Sequence, residues 1–311
     1  MPLDLLVLGD VNPDLIVRAF GIRPSYGQQE QVVEGVVLTI GGSAAILAAG
    51  ATRLGLRTTL IGAIGDDVLA QWTVEALAAI GVDVTHCPTI AGHATGISVI
   101  IADVDDRAIL TARGAIPMLM RTDIPSRELE AARHVHVGSY FLLDGLRSTV
   151  PEIFDLVHGR GGTTSLDSNW DPSDGWNSGI DQVLSRTDVF FPNLSEAERI
   201  TRRSGAEPAG RELLRRGVGL VAMKLGPEGG LVMSSKSPTI RRPALKVAAV
   251  DSTGAGDSFD AGFLAGWLAK RSQEEALELA VAAGSLATRE VGGTSAQATL
   301  DELSEARDRS S

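Results

Sequence analysis

The chain has a single cysteine, Cys87, so no disulfide can form within it, and that usage fits a reducing compartment. Aromatic residues make up only 4% of it, leaving few faces on which a flat heterocycle could stack. Positive charge is also short. The formal net charge of −11 argues against a nucleic-acid or anionic-membrane surface, so any phosphate must be held locally by amides, a lysine or a metal ion. No apolar run approaches a membrane span. Met1-Pro2-Leu3-Asp4-Leu5 lacks a basic segment before its short apolar run, so no signal peptide is expected and the expected location is the cytoplasm. Several catalytic signatures are missing as well: a G-x-x-x-x-G-K-[ST] phosphate loop, a G-x-G-x-x-G after the first strand, a G-x-S-x-G elbow and any Cys/His spacing for zinc. His134 and His136 lie two apart on an expected strand and, without a third ligand, read as ordinary packing or surface residues.

What is present is the pattern of one large α/β domain, alone or with a small appendage. Leu5-Leu6-Val7-Leu8-Gly9 reads as a strand buried on both faces, followed by the polar loop Gly9-Asp10-Val11-Asn12-Pro13-Asp14. Leu15-Ile16-Val17 and Val36-Val37-Leu38-Thr39-Ile40 read as strands with no helix between them. Ile97-Ser98-Val99-Ile100-Ile101 and Ala108-Ile109-Leu110-Thr111 read as a hairpin turning at Asp105-Asp106. These excursions predict a small separate sheet, a lid of residues 15–40 and 95–114, on a main domain of residues 1–14, 41–94 and 115–311. Gly41-Gly42-Ser43 opens a small-residue helix from Ala44 to Leu54, and Asp66 or Asp67 caps the next. From about residue 133, apolar strands (Val135–Val137, Thr164–Leu166, Val189–Phe191, Leu220–Met223) alternate with amphipathic helices, which predicts a parallel sheet covered on both faces.

The chain is organised around Asp251-Ser252-Thr253-Gly254-Ala255-Gly256-Asp257-Ser258-Phe259. Its glycines feed a helix expected from Ser258 to Lys270, with Phe259, Phe263 and Trp267 on one face. The free amides and dipole of a helix start make an anion site, and Asp257 places a carboxylate against whatever anion is held there. The polar loops Asn12-Pro13-Asp14, Gly41-Gly42-Ser43, Asp167-Ser168-Asn169, Asn193-Leu194-Ser195-Glu196, Lys224-Leu225-Gly226 and Gly254–Asp257 are expected to converge along one sheet edge.

This set resembles the ribokinase-like (PfkB) carbohydrate kinases from Gly9 to about Gly293, most specifically in Gly41-Gly42-Ser43-Ala44-Ala45…Arg53-Leu54-Gly55 and the Asp251–Phe259 stretch. The resemblance implies a three-layer α/β/α sandwich with a mainly parallel sheet and a β-sheet lid. It implies transfer of the ATP γ-phosphoryl group, with Mg²⁺, to a hydroxyl of a small sugar. Asp257 would be the base and the amides of Gly254, Ala255 and Gly256 the anion hole. Asn12, Asp14, Gly41, Gly42, Ser43 and Asn169 would bind the sugar, and Asn193, Glu196, Lys224, Gly226 and Gly229 the nucleotide. Asn193 and Glu196 would meet Mg²⁺ largely through water. Asp251 and Thr253, with the backbone near Val291 to Gly293, match the family's site for a monovalent cation such as K⁺. Pairing through the lid would give a homodimer. A local rival stands beside the metal reading: Ser195 and Glu198 have the spacing of a capping box for a helix over residues 196–203.

Two departures bear on the substrate. Ile46 stands where the family often has a sugar-binding Asn. Asp171 stands where some sugar-kinase relatives carry a basic residue, against a keto-acid substrate. A nucleoside kinase is the alternative within the fold, with Tyr26, Phe141 or Trp170 as stacking candidates. A catalytically silent sugar sensor is the alternative outside it, and the intact Asp257 loop argues against that.

Overall fold

The computed structural model describes residues 3–19, 21–103 and 107–308, so the expected turn at Asp105-Asp106 lies outside the described residues. The chain starts with β1 (Leu3–Leu8), β2 (Asn12–Arg18) and β3 (Gly35–Gly41). It continues through α1 (Ser43–Arg53), β4 (Thr58–Ile61), β5 (Ile64–Gly65), α2 (Val68–Ile80), β6 (Thr89–Ile90), β7 (Ile97–Ala102) and β8 (Arg107–Ala112). Then follow α3 (Ser126–Ala131), β9 (Ala132–Val137), α4 (Asp144–Arg147), α5 (Val150–His158), β10 (Thr163–Leu166), α6 (Ile180–Leu184) and β11 (Val189–Phe190). The last part holds α7 (Leu194–Thr201), α8 (Ala206–Arg215), β12 (Leu220–Lys224), β13 (Gly230–Ser234), β14 (Ile240–Arg242), α9 (Ala255–Leu268), α10 (Gln273–Ala287) and α11 (Leu300–Asp308).

Eight strands form the main sheet in the order β14-β13-β12-β11-β10-β9-β1-β4. The pairs from β12 across to β4 are parallel, and β13 and β14 add an antiparallel edge beyond the strands expected from the sequence. The apolar runs are strands buried on both faces, as alternate side chains enter two cores. Leu5, Val7, Leu60 and Ala222 face a core with α1, α9 and α10. Leu6, Leu8, Val137 and Met223 face the other, with residues of α5, α6, α7 and α8. The result is the expected three-layer sandwich with helices on both faces.

The chain leaves β1 for β4 on one side and β9 on the other, and in an open α/β sheet ligands bind at such a switch point, beyond the carboxyl ends of the strands. There α1 sits hard against the backbone. A Cβ on Gly9 would lie 2.4 Å from the Ala44 Cβ, and one on Gly138 would lie 3.2 Å from the Ala44 backbone.

The small sheet has the order β3-β2-β7-β8, with β2 antiparallel to β3 and parallel to β7. Asn12, Pro13 and Asp14 are therefore the first residues of β2, paired with Gly41, Ile40 and Thr39, where a loop was expected. Asp67, not Asp66, caps α2; its Oδ1 accepts from the Ala70 N–H at 2.9 Å and from the Thr95 hydroxyl, tying the entry to β7 onto the main domain. One face of this sheet leaves Val36, Leu38 and Leu110 exposed. Among the described residues, no helix is long and apolar enough to cross a membrane.

Candidate active site

Two helix starts meet at the switch point. α9 begins at Ala255, earlier than expected, so Ala255, Gly256 and Asp257 lie in its first turn and Gly254 is the capping residue. Gly254 has φ +71, and a Cβ there would come within 2.5 Å of the Gly293 Cα. Only glycine meets both demands. The Ala255 N–H donates to Ser252 O at 3.3 Å, which leaves the Gly254 and Gly256 amides as the readier donors of the expected anion hole.

α1 starts at Ser43 behind Gly42, a residue with no side chain to cap it. Asp10, which no sequence motif singles out, caps it from a distance. Its carboxylate accepts from the Ser43 and Ala44 N–H groups at 3.2 and 3.0 Å. The Ser43 hydroxyl donates to the Asp257 carboxylate, so α1 and α9 are joined through the expected base itself.

Asp14 and Asn12 lie beside this junction, both buried. The Asn12 Nδ2 group donates to Asp14 Oδ1 at 3.4 Å. Gly41 is obligatory opposite them, since a Cβ there would collide with the Asp14 carboxyl at 2.0 Å. Asn169 lies further along the same edge, with φ +52 and its amide donating to the Ser139 hydroxyl at 2.9 Å. Ile46 is turned away toward the Gly293 backbone, where a Cβ would meet its Cδ1 at 2.5 Å. Asp171 is spent on its own loop, accepting from the Ser173 and Trp176 N–H groups at 2.9 and 2.7 Å. Of the three stacking candidates, Tyr26 is exposed, while Phe141 and Trp170 both pack edge-on against Trp176, Phe141 buried beside Tyr140 and Trp170 under Arg199.

Behind the first turn of α9 is a charge cluster that sequence reasoning missed. Lys224, at the end of β12, makes ion pairs with Asp167 at 2.7 Å and Asp260 at 3.2 Å. A Cβ on Gly256 would lie 3.3 Å from the Lys224 Cδ, so the lysine underlies the glycine turn. Its ammonium is held by carboxylates rather than solvated. Asp260 stands three residues after Asp257 on α9, a spacing that places both on one side of the helix and is the one signal that could have found it. Burial pushes Asp167 up, but the Lys224 charge and hydrogen bonds from Lys224, Asp260 and the Asn169 N–H together outweigh it and hold Asp167 below the usual range. Asp260 goes well above the range through burial and the charge of Asp167, despite the pull of Lys224.

Asn193 and Glu196 correct the expected capping box. The box is theirs: Asn193 Oδ1 accepts from the Glu196 N–H, and Glu196 Oε2 accepts from the Asn193 N–H, both at 2.9 Å. Ser195 lies inside α7, which runs from Leu194 to Thr201. The physical reason is a backbone bridge between Asn193 and Lys224, which holds Asn193 extended so that the helix starts just after it. Burial and the charge of Asp167 push Glu196 up to about 7. Lys224, Gly226, Gly229, Ala255 and Gly256 all line one cleft of about 480 Å³, walled by Leu245, Val247 and Phe259.

Asp251 organises the approach to Gly254. Its Oδ1 accepts from the Thr253 N–H and hydroxyl at 2.9 and 2.8 Å, and its Oδ2 from the Gly292 N–H at 2.9 Å. Arg107, reaching from β8, donates to the Ser252 hydroxyl at 2.7 Å and so joins the small sheet to this loop. His134 and His136 are buried on β9, sharing the Ser165 hydroxyl at 2.7 and 2.8 Å, and burial lowers both to about 3. They are packing residues.

The same overall fold occurs in known proteins. The model of the pfkB family carbohydrate kinases matches residues 3–300. The chain belongs to that family. Among its relatives, the ATP-dependent ribose-1-phosphate kinase of Halopiger xanaduensis is 31% identical over 296 residues, covering 94% of each chain. The ribokinase of Haemophilus influenzae is 28% identical over 312 residues, covering 97% of each. The Arabidopsis thaliana ribokinase, solved with ribose and ATP, superimposes with a TM-score of 0.83 at 23% identity, over 98% of this chain and 99% of that one. The pfkB fold is thus shared from end to end.

Asp14 and Asp257 are both pushed up to about 7, first by burial and then by the carboxyls around them. In the native state Asp14 holds its proton to about 7, against a usual value of 3.8, so it favours folding at low pH and loses that contribution as pH rises toward 7. Relative to Asp14→Asn, the wild type is expected to lose up to about 1.4 kcal/mol of stability per pH unit between about pH 5 and 7. Urea unfolding of both proteins across that range checks this. A difference independent of pH would mean that Asp14 ionises freely in the native state.

Proposed function

We propose that the chain is an ATP-dependent kinase that transfers the γ-phosphoryl group to a hydroxyl of a small sugar. The observation that carries the reading is Asp257: a carboxyl raised to about 7, in the first turn of α9, next in sequence to Gly256 of the cleft and close enough to Asp14 for their charges to interact. A base works best with a pKa near the working pH, since it is then ionised yet still holds a proton strongly. Asp257 would take the proton of the attacking hydroxyl at its carboxylate. Asp14 and Asn12 would orient that hydroxyl's neighbours, a carboxylate being able to accept two hydrogen bonds from one diol. The amides of Gly254 and Gly256 would face the charge that develops on the phosphoryl oxygens.

The cleft suits a nucleotide: it is walled by apolar side chains and ends at a helix start. Bound there with Mg²⁺, ATP would supply the phosphoryl group and the metal would neutralise its charge. Among the described residues no group of three His, Cys, Asp or Glu side chains could cage a metal. Phosphates and water would carry most of the Mg²⁺ coordination, with Glu196 and Asn193 as outer partners. The Asp251 donor set does not fit K⁺ as it stands. Three protein donors already occupy the carboxylate, and Arg107 lies 4.0 Å from it.

The small sheet is the proposed lid, the part that excludes water from the transfer. It brings Asp14 on β2 and Arg107 on β8 to the catalytic loop. Its exposed apolar face, Val36, Leu38 and Leu110, is the proposed contact with a second copy. Light scattering should then give twice the monomer mass for the wild type and the monomer mass for Leu38→Asp/Leu110→Asp. A monomeric wild type would remove the homodimer.

Turnover provides the direct test. Mg²⁺-dependent ADP release across pentoses, hexoses, keto acids and nucleosides should identify one acceptor class. Asp257→Ala should lower that rate by roughly a thousandfold or more while nucleotide binding persists. Asp14→Ala should weaken sugar binding more than nucleotide binding. A nucleoside as the acceptor would replace the sugar in this reading, and an active Asp257→Ala enzyme would end the proposed role of the base.

A further inference from the structure

A second cleft, of about 620 Å³, opens at the other edge of the main sheet, among the amino ends of β9 and β10, the Arg160–Gly162 turn and the carboxyl end of α9. Its size is that of a small-molecule site. Four of its lining residues are cationic, namely Arg133, Arg160, Lys270 and Arg271, and none is acidic. In a chain of net charge −11 this is a local reversal of sign.

The counter-charge on hand is small. Asp4 accepts from Arg133 at 3.0 Å, but it is shared with Arg57, which approaches to 2.7 Å. Those two guanidiniums hold the Asp4 carboxyl down at about 2. Among the described residues, no carboxylate lies within ion-pair distance of Arg160, Lys270 or Arg271. The end of α9 accounts for part of the gathering, because Arg133 also donates to the Leu268 carbonyl at 2.8 Å. A helix end, however, offers only about half a negative charge. Trp267 adds a half-buried indole to the wall, stacked on Phe263 at 6.3 Å with an angle of 24° between the rings.

We propose that this cleft is a second binding site, taking a small phosphorylated molecule. Arg160, Lys270 and Arg271 would hold its phosphate and Trp267 would pack against its organic part. α9 has 14 residues and is about 21 Å long, with Asp257 in its first turn and Trp267 near its last, so the two sites can be filled at once. This assignment does not depend on the kinase reading.

The test is calorimetric titration in about 0.1 M salt with ADP and, separately, inorganic phosphate, on wild type and on Arg160→Glu/Lys270→Glu. Both replaced side chains are exposed, and neither belongs to the proposed active site. For at least one probe, the wild type should bind an equivalent whose affinity falls tenfold or more in the variant. If ADP also fills the cleft beneath Gly256, that equivalent remains in both proteins, so the two sites separate. Loss of the ADP equivalent alone assigns a nucleotide-like ligand, and loss of the phosphate equivalent assigns the bare anion. Equal stoichiometry and affinity in the two proteins for both probes would overturn the proposal.

Discussion

Lys224 ends β12 with its ammonium inside the protein, against the carboxyls of Asp167 and Asp260 and near that of Glu196. Asp10, Asp14 and Asp257 complete an acidic crowd around the same sheet edge. Such crowding is tolerable only because protons and one lysine balance it. Asp260 is pushed well above its usual range, Asp167 is held below it beside Lys224, and Asp14, Asp257 and Glu196 are raised to about 7. Breaking a buried pair of this kind typically costs about 3–5 kcal/mol, because the remaining charge is stranded. The lysine is thus a condition for the fold and for the charge state of Asp257 together.

The second constraint is closeness. α1 and α9 bring their amino ends to one point because Gly9, Gly41, Gly138 and Gly254 remove side chains where backbones or carboxyls would collide. Ser43 then bridges the two helices through Asp257. A helix start is a good place for an anion and a poor place for a carboxyl to share with five others. The same geometry therefore offers amides to a phosphate and resists ionisation of Asp257 until about neutral pH.

Much of the fold was legible, since buried parallel strands advertise themselves as short apolar runs, and β1, β4 and β9 through β12 fell where those runs lie. The antiparallel edge was not, because Gly229-Gly230 reads as a turn and hides the start of β13. The glycine motifs and Asp257 were visible because chain chemistry near a tight turn is local. Asp10, Asp260 and the pairing of Lys224 were not, because their partners come from distant parts of the chain and only the folded sheet edge brings them together. The misplaced capping box has the same origin: two overlapping N/S-x-x-E spacings compete at Asn193 and Ser195, and a backbone bridge from Lys224 decides between them. The resemblance of the chain to the pfkB kinases rested on local motifs, and the family match over residues 3–300 bears it out.

The central claim is that burial, with this acidic surround, holds Asp257 near 7 and that its ionised form starts the reaction. The measurement that tests it most directly is the pH dependence of kcat/KM for the best acceptor, at saturating ATP and Mg²⁺. The account predicts a rate that falls tenfold per pH unit on the acid side of an inflection near about 7. A rate that stays flat between about pH 5 and 8, with chemistry shown to be the slow step, would contradict it.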